Sequence, residues 1–233
     1  MLLYAITNRR LLQGDDAEQH ARLVALAAEW ARGGVDTIQI REKDLPLTEL
    51  QPLAAKIVEA VRSTGSATRV LVNGPAQVAF DAGADGIHLP SAPPPNPQAT
   101  NDALSGTIAT AIRAALQVYA RGNREAEVSA ACHSSDEIRQ AGLAQMLLFS
   151  PVFEKVTEPQ RSRGQGLTAL RAAAELAHPT PVLALGGVTE KNAAACVQAG
   201  AAGVAAIRLF VGEGWRNLRA AYPSAPASVR PSS

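Results

Sequence analysis

The chain has 233 residues, of which 47% are hydrophobic, 4% aromatic and 18% charged, and 22 basic against 21 acidic side chains leave a formal net charge of +1. That balance lacks the basic excess of a general nucleic-acid binder, two cysteines (Cys132 and Cys196) are too few for a disulfide scaffold or a cysteine-rich zinc module, and no apolar run reaches the roughly 18 residues of a membrane span. The opening MLLYAI carries no positive n-region of a secretory leader; the expected setting is the reducing cytoplasm, with neither nucleic acid nor membrane as partner.

Short β-branched runs alternate with longer helical patterns. Strands are expected at Leu2–Thr7, Thr37–Glu42, Arg69–Asn73, Gly86–Leu89, Glu127–His133, Gln145–Ser150, Pro181–Leu185 and Gly203–Leu209. Eight strands at about 29 residues each leave room for one helix between neighbours, and strict alternation argues for a parallel sheet. Among the helices, Leu50, Leu53, Ala54, Ile57, Val58 and Val61 form one apolar stripe. Thr48 and Gln51 read as a capping box that starts it, with Pro52 in the first turn. Ser134 and Glu137 open another helix in the same way, Pro75 stands near a helix start, and Thr189 caps a helix that stops at Gly200.

A repeat runs through the pattern. Gly34-Val-Asp-Thr-Ile38, Gly83-Ala-Asp-Gly-Ile87, Gly142-Leu-Ala-Gln-Met146 and Gly200-Ala-Ala-Gly-Val204 each end a helix at glycine and launch an even-numbered strand. A unit of two βα pairs repeated four times favours closure over an open sheet, so the expected fold is α/β, a single (β/α)8 TIM barrel over residues 1–221. Residues 222–233, rich in Pro and Ser, are expected to be a disordered tail. Pro90–Asp102 is an extended proline-rich connection.

In such a barrel chemistry sits where strands end. Those ends carry Thr7, Gln39, Arg41, Lys43, Asn73, His88, His133, Ser150, Gly186, Gly187 and Arg208. Gln39, Arg41 and Lys43 alternate onto one face of the second strand, and an amide with two cations suits an anionic substrate. The competing reading is a structural pair of Arg41 with Glu42 or Asp36. Gly186-Gly187 opens a helix after the seventh strand, the usual place for phosphate, although a bare Gly-Gly also serves any tight turn. His133 ends the fifth strand, where an imidazole is a natural proton shuttle or simply a loop cap. His88 reads as buried and hydrogen-bonded, His20 and His178 as solvated, and Cys196 as core. Arg208, inside an apolar run, is expected to face the mouth or meet an anion. Pro151–Gln165 is a polar, basic loop with the length of a lid. No His, Cys, Asp or Glu cluster has metal-ligand spacing, so no metal or cofactor is expected from spacing alone.

These residues, as an ordered set from Tyr4-Ala-Ile-Thr7 to Phe210, resemble the thiamine-phosphate synthase/TenI family. The resemblance implies a (β/α)8 barrel, a homodimer and a small phosphorylated thiazole as substrate. It names two activities. The synthase joins an aminopyrimidine pyrophosphate to a thiazole phosphate with Mg²⁺ held by acids after the third and fourth strands. Here those positions read Asn73-Gly74 and Leu89-Pro90-Ser91, with no acid until Asp102, and Glu158 stands where that branch has a lysine. The TenI-type tautomerase carries Asn-Gly, Leu-Pro-Ser and a His-Ser pair, matched here by His133-Ser134. This branch implies His133 as the acid/base in a metal-independent aromatisation. Gln39, Arg41, Lys43, Asn73, Ser150, Gly186, Gly187 and Arg208 would then bind the substrate, without a cofactor. Gln39-Ile-Arg41-Glu42-Lys43 is closer to the synthase, and Arg208 replaces a small Ser. The expected function is the tautomerase; the alternatives are the synthase and a barrel that binds thiazole or thiamine phosphates without turnover.

Overall fold

The computed structural model describes residues 1–91, 107–157 and 160–223. The expected connection up to Asp102 and the tail therefore fall largely outside the described residues. Eight parallel strands close a barrel: β1 (Leu2–Ile6), β2 (Thr37–Ile40), β3 (Arg69–Val72), β4 (Gly86–Leu89), β5 (Glu127–Cys132), β6 (Met146–Phe149), β9 (Val182–Leu185) and β10 (Gly203–Ala206). Their order around the ring is β1-β10-β9-β6-β5-β4-β3-β2. Strands β7 (Lys155–Thr157) and β8 (Gln160–Ser162) form a separate antiparallel hairpin between β6 and the next helix. The described helices are α1 (Asp16–Arg32), α2 (Leu47–Arg62), α3 (Ala76–Asp81), α4 (Ile108–Arg121), α5 (Ser135–Gln140), α6 (Gly166–Ala177), α7 (Glu190–Gln198), α8 (Arg208–Val211) and α9 (Gly214–Ala221).

Strand alternation divides the core in two. One set of side chains, such as Ile38, Ile40, Val70 and Val72, faces the helices; the other, with Tyr4, Ile6, Leu71, Leu148 and Leu183, fills the barrel. The interior is not wholly apolar. Tyr4 reaches from β1 to β5, its hydroxyl 2.9 Å from Ser129 Oγ, and Ser129 Oγ lies 2.9 Å from His88 Nδ1. All three are buried, and each satisfies the next, as buried polar groups require. Burial raises the Tyr4 hydroxyl well above the usual range for tyrosine.

The fourfold glycine repeat has a physical basis. Gly34, Gly83 and Gly200 adopt φ values of 80, 76 and 95°, which end a helix at low steric cost. The residues just after three of these turns tie strands together. Asp36 accepts from the Leu3 N–H at 2.9 Å, Asp85 from the Val70 N–H at 2.7 Å and Gln145 from the Val128 N–H at 2.7 Å. Each time, a side chain leading into an even strand satisfies an amide at the foot of the preceding odd strand.

The apolar stripe on α2 is buried as expected, all six residues of it. Its start differs: the helix begins at Leu47 behind Pro46, whose carbonyl takes the Glu49 and Leu50 N–H groups at 3.0 and 2.9 Å. The Thr48–Gln51 box is therefore not formed. Pro52 sits in the second turn, where its missing N–H leaves the carbonyl of exposed Thr48 to solvent. The last strand is also shorter than expected. It stops at Ala206, Ile207 takes a helical conformation, and Arg208 opens α8. This short helix buries Leu209 and Phe210, and Phe210 meets Trp30 edge-on at 6.0 Å and stacks on Trp215 at 6.4 Å. Cys132 and Cys196 are both buried and free.

Candidate active site

The strands' carboxyl ends gather most of the expected residues. Gln39 is 1% exposed on the inner face of β2, and its Oε1 has no hydrogen-bond partner among the described residues. Arg41 and Lys43 follow on the same side. Their two positive charges, added to burial, push His88 down to about 3, so its ring is neutral. Asn73 follows β3, its N–H donated to the Ile40 carbonyl at 2.8 Å.

The stretch 41–43 is fixed from behind. Glu42 is 3% exposed and takes the Thr7 hydroxyl at 2.6 Å, the Arg9 N–H at 3.1 and 3.2 Å, and Arg9 Nη1 at 3.4 Å. Thr7 Oγ1 in turn accepts from the Arg41 N–H at 2.8 Å. Arg9 also forms a two-pronged pair with Asp44 at 2.8 and 2.7 Å, and Arg10 adds a contact at 3.1 Å. The Arg9 guanidinium holds the Asp44 carboxyl down to about 2. The structural pairing weighed for Arg41 therefore goes elsewhere: Glu42 pairs with Arg9, and Asp36 with Arg219. Among the described residues, no hydrogen bond or ion pair occupies the Arg41 side chain.

His133 stands just beyond β5, exposed, while Cys132 behind it is buried. Its Nδ1 lies 2.6 Å from the Ser150 carbonyl oxygen and 3.2 Å from Ser150 Oγ, and its Nε2 3.1 Å from Ser91 Oγ. Its backbone N–H is donated to the Glu137 carboxylate. Glu137 is placed by the N-cap of α5, since Ser134 Oγ accepts the Glu137 N–H at 3.3 Å. A carbonyl only accepts, so Nδ1 carries hydrogen, and in the neutral ring Nε2 presents its lone pair to the Ser91 hydroxyl. Gln165 Nε2 donates to the same Ser150 carbonyl at 2.9 Å. Ser150 itself is 9% exposed.

Gly186 and Gly187 have φ values of 92 and 65°, and a Cβ on either would come within 2.8 Å of Pro151 or 2.7 Å of Phe153. Only glycine suits both demands. They lead into α7, where the Thr189 N–H is donated to Asn192 Oδ1 at 2.8 Å. Arg208 is exposed at the start of α8 and not within the last strand, where it was expected. The loop after β6 holds the hairpin β7–β8; of its three basic side chains, Arg163 is exposed, and Lys155 and Arg161 lie outside the described set. His178 is exposed and His88 and Cys196 are buried, as read from the sequence. His20 is not freely solvated: it is half-buried, its Nε2 without a partner among the described residues, in a groove of about 880 Å³ between α1 and α2 on the barrel's outer wall.

A divalent metal does not fit the site as described. The ends of β3 and β4 offer Asn73-Gly74 and Leu89-Pro90-Ser91, and among the described residues no three His, Cys, Asp or Glu side chains gather. Asp102 lies outside the described residues. Spacing had not marked Ser91, Glu137, Gln165 or Arg9 as parts of the site. Two of them carried a signal of another kind, Ser91 as the last residue of the Leu-Pro-Ser motif and Glu137 as the capping partner of Ser134.

Comparison with known proteins adds three findings. The family description "Thiamine monophosphate synthase" (TMP-TENI) matches residues 3–210. A thiamine-phosphate synthase of Methanoculleus marisnigri is 34% identical over 237 residues, covering 98% of each chain, and a putative one of Geobacter sulfurreducens is 31% identical over 211 residues, covering 91% of this chain and 87% of its own. Among solved structures, a thiamine phosphate pyrophosphorylase of Pyrococcus furiosus superposes with a TM-score of 0.68 at 26% identity, covering 93% of this chain and 90% of that one.

Proposed function

The chain belongs to the thiamine monophosphate synthase (TMP-TENI) family, and we propose that it serves thiamine biosynthesis by moving a proton on a phosphorylated thiazole, the metal-independent aromatisation of a thiazole phosphate carboxylate. One observation carries this reading. His133 is held at the mouth with a defined tautomer, while the described positions just after β3 and β4, Asn73-Gly74 and Pro90-Ser91, carry no carboxylate for a metal clamp.

Proton transfer between two carbons needs one group that takes and returns the proton and a substrate held still beside it. His133 Nε2 is that group. Arg41 and Lys43 supply the charge that meets carboxylate or phosphate. Gln39 offers an unpaired amide oxygen, and Asn73 and Ser150 frame the mouth between them. The Gly186-Gly187 turn and the start of α7 receive the phosphate on backbone N–H groups.

The relatives' names favour a second reading, a synthase that condenses an aminopyrimidine pyrophosphate with thiazole phosphate. The sequence Gln39-Ile-Arg41-Glu42-Lys43 agrees with it. That reading requires metal ligands other than Asn73-Gly74 and Leu89-Pro90-Ser91.

The test follows the dihydrothiazole phosphate carboxylate by NMR in metal-free buffer, with wild type beside His133→Asn. Wild-type turnover that falls at least about a hundredfold in the variant supports proton transfer by His133. Equal turnover in both removes His133 from that role. If wild type is inactive, pyrimidine pyrophosphate and Mg²⁺ are added: thiamine phosphate formation that EDTA abolishes assigns the synthase. Saturable binding without product assigns a phosphate-binding barrel.

A further inference from the structure

The ring order places β5 between β4 and β6. His133, just beyond β5, is accordingly gripped from both sides, by Ser91 beyond β4 and by Ser150 beyond β6. The two grips differ in kind. The Ser150 carbonyl takes Nδ1–H and also Gln165 Nε2–H, so both of its lone pairs are engaged. It can only accept, and it serves the ring identically whether the imidazole is neutral or charged. A serine hydroxyl is donor and acceptor at once, and it rotates.

We infer that Ser91 is a positioning residue for His133, whose hydroxyl reverses its hydrogen bond when the imidazole takes up a proton, so that the ring changes charge without turning. This inference rests on the proton transfer proposed above. In the resting site the Ser91 O–H donates to Nε2. As the substrate's C–H bond breaks, its electron pair is delocalised into the substrate's own heterocycle, and its proton bonds to the Nε2 lone pair, which the Ser91 hydroxyl hydrogen gives up. The new Nε2–H then donates to Ser91 Oγ, and the displaced hydroxyl hydrogen turns toward a substrate oxygen. In the return step the delocalised substrate anion supplies the electron pair with which the second carbon takes the Nε2 proton, the N–H pair returns to Nε2 as its lone pair, and Ser91 O–H swings back to it. No proton is gained or lost, and no co-reactant is needed. Nε2 keeps a partner in both states, at unchanged ring geometry, which is what a shuttle between two nearby carbons needs.

The role belongs to the hydroxyl and not to the bulk of the side chain, which makes it separable from folding. Wild type, Ser91→Ala, Ser91→Thr and the Ser91→Ala/His133→Asn double variant are compared in the metal-free assay, with ¹⁵N NMR of the imidazole nitrogens. Ser91→Ala is expected to lower kcat about tenfold to a hundredfold with KM changed less than about twofold. Ser91→Thr, which restores the hydroxyl, should return kcat to within about fivefold of wild type. The double variant should be no slower than His133→Asn alone, because the two residues act as one unit. The Nε2 resonance should move in Ser91→Ala and stay in place in Ser91→Thr. Wild-type turnover with an unaffected Ser91→Ala, a loss confined to KM, or a further loss in the double variant overturns the role of Ser91 alone. Absence of wild-type turnover overturns the proposed reaction and the role of Ser91 with it.

Discussion

Thr7 and Glu42 meet behind the site at 2.6 Å, the shortest link in a buried chain that runs from the end of β1 to the loop after β2. Thr7 donates to Glu42 and accepts from the Arg41 N–H, so one hydroxyl fixes both the carboxylate facing the protein and the backbone of the cation facing the mouth. The cations that meet the substrate under the proposed function are thus anchored one residue away, at Glu42.

Glu42→Ala should therefore act on stability and on binding together. It strips Arg9, which is 4% exposed, of a buried partner, and a loss of about 2–4 kcal/mol is expected by urea denaturation. Glu42→Gln keeps the shape and should lose about half of that. A Glu42→Ala protein as stable as wild type would show that Asp44 alone suffices for Arg9.

Acid should weaken the fold through His88. Its folded-state value of about 3 lies below the ordinary 6.5, because burial and the Arg41 and Lys43 charges disfavour the imidazolium. The unfolded chain then binds more protons between those values, so the contribution is complete above about pH 6.5 and lost as pH falls toward 3. Unfolding free energies measured across pH 7 to 4 should decline in wild type and decline less steeply in His88→Gln. Parallel curves would place the acid sensitivity elsewhere.

The barrel wall tolerates no side chain at Gly86. A Cβ there would lie 1.8 Å from the Glu127 carbonyl oxygen, a clash with backbone that a rotamer change cannot relieve. Gly86→Ala should cost about 3 kcal/mol or more, read from the thermal midpoint.

Both thiols should be inert in the native state. Burial pushes Cys132 up to about 12 and Cys196 up to about 11, so thiolate is scarce near neutral pH. Labelling by a thiol reagent should be slow in buffer and complete for two thiols in denaturant. Fast native labelling of either one would reveal local opening of its helix or strand.

The barrel and its mouth were legible in the sequence because they rest on periodicity and on strand-end position. Gln39 and Arg41 share a face by simple alternation, and His133 follows β5 directly. What was not legible depends on partners distant in the chain or on a choice between two local structures. The links from Arg9 to Glu42 and Asp44 span more than thirty residues and leave no local pattern. Arg208 was misplaced because a continuous apolar run reads equally as strand or helix; the pull of Phe210 toward Trp30 and Trp215 decides for helix. The Thr48 cap failed because the carbonyl of Pro46 offered an earlier start. The hairpin β7–β8 arises in a loop whose polar composition carries no strand alternation.

The side chains of Asp36, Asp85 and Gln145 join strands in twos: β1 with β2, β3 with β4, β5 with β6. Seen from its floor, three of the ring's four consecutive strand pairs are each sealed by one such side chain. Asp36 has a second duty, since it also holds Arg219 of the last helix. The end of the chain thus latches onto the first strand pair. Circular permutants opened between sealed pairs should assemble more readily than those opened within one, and shortening α9 before Arg219 should leave the ring built but unlatched.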